Sequence, residues 1–113
     1  MTDRPDTSHT EAIETAERVL ADLSRGYDTV GPRAALATLE PAGTALAAHV
    51  SAHLGDSGST TNLIRDLLAT SARVLTVTAN AANDTGRHAR AATLAGEAAT
   101  LAWEAGATTT QAH

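Results

Sequence analysis

The chain has 113 residues, 2% of them aromatic, no cysteine and a formal net charge of -5. That length suits one domain around one core, and the missing thiols exclude disulfides, thiolate metal sites and cysteine nucleophiles. The acidic balance opposes nonspecific binding to nucleic acid or to an anionic membrane surface, both of which need a cationic field.

Taken in chain order, residues 1–7 are polar, contain Pro5 and read as a loose arm. Ser8 and Glu11 have capping-box spacing, so a first helix is expected over residues 9–25. Ile13, Ala16, Leu20, Leu23 and Tyr27 fall on one stripe of it, widened by Ala12 and Val19, with Glu14, Glu17, Arg18 and Asp22 opposite. Gly26 is the expected stop. Gly31 followed by Pro32 opens a second helix, Pro32 to Leu54, whose stripe is Leu36, Leu39, Gly43, Leu46, Val50 and His53 or Leu54. Pro41 lies inside it and predicts a kink or short break between Thr38 and Pro41.

Residues 55–60, GDSGST, form the clearest loop, and Ser59 to Thr61 supply cap candidates for a third helix. This helix carries the widest apolar stripe: Leu63, Ile64, Leu67, Leu68, Ser71, Val74, Leu75 and Thr78. A turn at Asn83 to Gly86 leads to a fourth helix, with Ala91, Leu94, Ala98, Leu101 and Ala105 inward and Gly106 as its end. Residues 107–113 read as a frayed tail, leaving 8–106 as a single helical domain. Short connections between four amphipathic helices predict an all-α, antiparallel up-down four-helix bundle, with helix two kinked at Pro41. A three-helix core with helix one or helix four docked loosely is the alternative. The alanine-rich faces imply close helix spacing.

Up-down order brings the start of helix one, the end of helix two, the start of helix three and the end of helix four to one end. His9, Glu11, Glu14, His49, His53, Asp56, Asp66, Glu97, Trp103 and Glu104 gather there. His49 and His53 are one helical turn apart, a spacing able to grip a metal ion, with a carboxylate from Glu11, Glu14 or Glu104 to complete the site. The bland reading packs His53 at the edge of the core and leaves His49 in solvent. At the opposite end, Arg87 and Arg90 occupy the first turn of helix four, where positive charge opposes the helix dipole and invites an anion or an acidic partner. Ordinary pairing with Asp28 or Asp84 would also explain them. Trp103 is a candidate anchor for a protein partner or a filler among small alanines.

The stretch RVLTVTANAANDTGRHARAATLAGEAATLAWEAG, residues 73–106, resembles small Streptomyces-type helical proteins of unknown function. That resemblance implies an actinobacterial source beside genes of regulation or specialised metabolism, and carries no active residue across. No serine, histidine and acid set and no phosphate-cradling loop occurs, so catalysis and a cofactor are not expected. The expected function is a non-enzymatic interaction or accessory module, self-associating and binding a protein partner. Ligand or metal binding at the His49 and His53 end is the alternative. MTDRPDTSHTE has no apolar signal region, and no apolar run approaches a membrane span, so the expected location is the cytoplasm.

Overall fold

A computed structural model describes the backbone of residues 5–54 and 61–111, and side chains over 9–52 and 62–106. The described residues form four helices: α1 (Pro5–Val30), α2 (Pro32–Leu54), α3 (Thr61–Asp84) and α4 (His88–Gln111). They make an all-α bundle measuring 41 × 33 × 21 Å, about two helix diameters thick.

The helices begin and end where the backbone finds replacement hydrogen bonds. α1 starts at Pro5, so Ser8 and Glu11 lie inside the helix and do not cap its start. It also runs through Gly26, because the turn is made by Gly31 with φ at 87°. The Gly31 amide donates to the Tyr27 carbonyl at 2.8 Å while its own carbonyl accepts from Ala35 at 3.0 Å. One residue thus closes α1 and caps α2, and Pro32 takes the first helical position, where its missing N–H costs nothing. α2 is helical throughout, and Pro41 does not break it. α3 ends in a Schellman turn: Arg87 N–H reaches Ala82 at 2.9 Å and Gly86 N–H reaches Asn83 at 3.0 Å, with Gly86 at φ 85°. α4 therefore starts at His88, and it passes Gly106 to reach Gln111. The caps expected at Ser59 and Thr60, and the loop 55–60, lie outside the described residues.

α3 is the helix around which the others pack. It touches α1, α2 and α4, and its contact with α4 is the most extensive in the molecule. Leu67, Leu68, Ser71, Ala72, Val74, Thr78, Ala79, Ala81 and Ala82 are all buried on it, leaving Arg73, Thr76, Asn80 and Asn83 as its exposed stripe. A helix covered on most sides belongs at the centre of a bundle. Leu39, Leu46, Leu67 and Val74 are the largest fully buried side chains, and Ile13, Ala16, Leu20 and Leu23 close the core from α1. With Ala91, Leu94, Ala98 and Ala105 buried on α4, the inward stripes expected for the four helices fall, over the described residues, on buried or half-buried positions. The start of α1 meets the end of α2 through His9 and His49, and the ends of α1 and α3 meet through Tyr27 and Asp84. α4 comes into close backbone contact with α3; among the described residues its backbone approaches neither α1 nor α2.

Candidate functional site

Because α4 sits on the crest of α3, a channel runs along each of its flanks. The larger lies between α1 and α4 and encloses about 1220 Å³. Leu20, Leu23 and Tyr27 form its α1 wall, and Ala95, Ala99 and Ala102 form part of its α4 wall. Its floor is the exposed stripe of α3, including Arg73, Thr76, Asn80 and Asn83. The smaller channel lies between α2 and α4 and encloses about 530 Å³. Short side chains explain both: alanine lets α4 approach α3 closely but cannot span the gap to a third helix.

The end of the large groove is tied by the Tyr27 hydroxyl, which donates to Asp84 Oδ2 at 2.5 Å. That bond, with burial and the charges of Asp84 and Asp28, pushes the phenol pKa up to about 12, since a phenolate there would face carboxylates. Asp84 was an expected partner for Arg87 or Arg90 and is engaged by a phenol instead. Arg87 is the N-cap residue of α4, its carbonyl accepting from Ala91 at 2.9 Å, and Arg90 lies in the first turn. Both are exposed, and among the described residues neither joins an ion pair. His88 Nδ1 donates to Asn83 Oδ1 at 2.6 Å and pins the turn between α3 and α4.

At the opposite end, His49 meets His9. Their Nδ1 atoms are 2.6 Å apart and the rings stand edge to face, 82° between planes, with centroids at 4.7 Å. His9 is 3% exposed and His49 is half-buried. One Nδ1 must carry a hydrogen and the other must accept it, so the contact tolerates one added proton but not two. Burial, and next the charge on His9, push the His49 pKa down from its usual value. Glu14 is exposed on α1, and the side chain of His53 lies outside the described residues. Among the described residues, no three metal-ligating side chains come together.

Trp103 is 75% exposed, so it is not the filler among alanines that one reading of the sequence allowed. The sequence pattern did not single out His9 as the partner of His49, nor Arg73 as a groove residue. Placing both at the same end of a bundle was the available signal for His9. No helix among the described residues is long and apolar enough to cross a membrane. Against this geometry, no protein-family model, no curated protein and no solved structure matches the chain.

Proposed function

We propose that the chain is a non-enzymatic helical interaction module that self-associates and binds a protein partner through the α1–α4 groove. The observation that carries this reading is the groove itself, about 1220 Å³ in volume and walled by leucine and alanine. An amphipathic helix laid into such a trough buries its apolar face against side chains short enough to admit a close approach. Arg73 on the floor has no ion-pair partner among the described residues and offers a contact to a carboxylate on the incoming helix. Trp103 follows Ala102 of the groove wall and is of the residue type that dominates interface energetics. The net charge of -5 disfavours nucleic acid as the partner. An actinobacterial source belongs to the same proposal, supported by the resemblance of residues 73–106, as does a cytoplasmic setting.

Native mass spectrometry of protein purified without chelator tests this reading. A multiple of the chain mass that collapses to one chain in Trp103→Ala supports it, whereas a single bare chain at every concentration overturns self-association.

The meeting of His9 and His49 favours a second reading, ligand or metal binding at the end that also carries His53, with Glu14 as the carboxylate. The same spectra address it. Mass added by a metal, lost with chelator and absent in His49→Ala, would support that reading over the first.

A further inference from the structure

The α2–α4 trough differs in kind from the groove on the other flank of α4. Its volume of about 530 Å³ lies within the range of small-molecule sites, roughly 300 to 1,000 Å³. Ala47 and Val50 of α2, Leu75 of α3 and Leu101 of α4 give it an apolar lining. Ser71 of α3 also lines it and is only 5% exposed. Its Oγ is the one buried side-chain oxygen or nitrogen among the described residues that lacks a hydrogen-bond partner. Neighbouring hydroxyls are not in this condition. Thr76, Thr78 and Thr100 each donate to the carbonyl four residues earlier, at 2.8, 2.7 and 3.1 Å. A buried hydroxyl left unpaired is costly, and a ligand group would relieve that cost.

The polar groups of α4 on this trough share one character. Glu97 is exposed and has no ion-pair partner among the described residues. The facing helix, α2, carries no arginine beyond Arg33. Thr100 has already committed its hydroxyl hydrogen to the Gly96 carbonyl, so only its lone pairs remain. The α4 side of the lip can only accept hydrogen bonds and bears an unneutralised carboxylate, so it selects a donor with positive charge, while the exposed Ser51 hydroxyl on the α2 side can donate or accept.

We propose that this trough binds a small apolar amine. Its hydrocarbon body lies over Ala47, Val50, Leu75 and Leu101, its ammonium is held by Glu97 and Thr100, and Ser71 is available to a second polar group. An acid of the same shape would meet uncompensated negative charge and be rejected. The site stands apart from the proposed self-association, which uses the other flank of α4.

The test titrates the isotope-labelled full chain with aminoadamantane, hydroxyadamantane and adamantane carboxylate, three probes of one shape, and follows the backbone amides by NMR. Saturable shifts confined to the trough segments of α2, α3 and α4 are expected. The amine should bind about fivefold tighter than the alcohol, as a charge-assisted bond at a half-exposed lip implies, and the carboxylate should not saturate. Glu97→Gln should bring the amine to the affinity of the alcohol. Ala47→Phe, at an exposed position of α2, should abolish binding while the helical circular dichroism is kept. Equal binding of amine and carboxylate, an unchanged amine affinity in Glu97→Gln, shifts elsewhere or no saturation by the amine would each overturn the proposal.

Discussion

Tyr27 is the chain's only tyrosine, so its ionisation can be followed by phenolate absorbance without interference. Its pKa, raised to about 12 by the bond to Asp84, predicts a titration midpoint near that value, returning toward the ordinary value of about 10 in Asp84→Asn. The folded chain holds this proton more tightly than the unfolded chain. Stability from this group is therefore complete below about pH 10 and is lost as pH rises through the folded value. The His49 imidazole gives the opposite dependence. The His49 pKa is lowered by burial and by His9, so protonation favours the unfolded chain. Its contribution is complete above about pH 6.5 and declines as pH falls below that value. Urea melts at successive pH values should show this decline, and His49→Gln should flatten it. An identical slope in the variant would remove the pair as its cause. Neither contact is legible in the sequence, since the partners lie 57 and 40 residues apart and meet only once helix directions and rotations are fixed. The spacing of His49 and His53 drew attention along α2, whereas the partner of His49 came from α1.

At the scale of elements, the apolar stripes were readable because each helix buries one face, and burial imposes a period close to 3.6 residues. Helix ends were less readable, since a stop depends on what the next residues can build. Gly26 and Gly31 both look like stops, but only Gly31 is followed by Pro32 and adopts a positive φ, 87°. The two should respond oppositely to alanine. Gly31→Ala places a Cβ in the left-handed region and should cost about 1–2 kcal/mol. Gly26→Ala should stabilise by about 0.5–1 kcal/mol, because that position is helical and its new Cβ would meet only Val30 Cγ2, at 4.0 Å. Chemical denaturation of both variants checks the pair of signs. A loss at both positions would show that α1 ends near Gly26 after all.

At the scale of the whole molecule, four stripes do not decide which helices touch. An up-down order supplies α1 and α4 as candidate neighbours, and in this bundle their backbones stay apart with α3 between them. Ala72, Ala79 and Ala82 on α3 and Ala91, Ala98 and Ala105 on α4 are buried, drawing these two helices together. Ala95, Ala99 and Ala102 then face a gap too wide for a methyl group to close. The open groove is thus a consequence of side-chain length, and it can be altered by changing that length. Ala99 is exposed and lines the groove, so Ala99→Leu should extend apolar surface into empty space without disturbing the core. If the groove is where a second chain or partner docks, the substitution should stabilise the lone chain by up to about 1 kcal/mol, as cavity filling does, and at the same time weaken association. Denaturation midpoints and native mass spectra of the same preparations read the two effects separately. A gain in stability with association intact would move the interface away from the α1–α4 groove. Loss of both would mean that the leucine perturbs the fold. Only the opposed pair of changes, a firmer monomer and a weaker assembly, fits a groove kept open for an incoming helix.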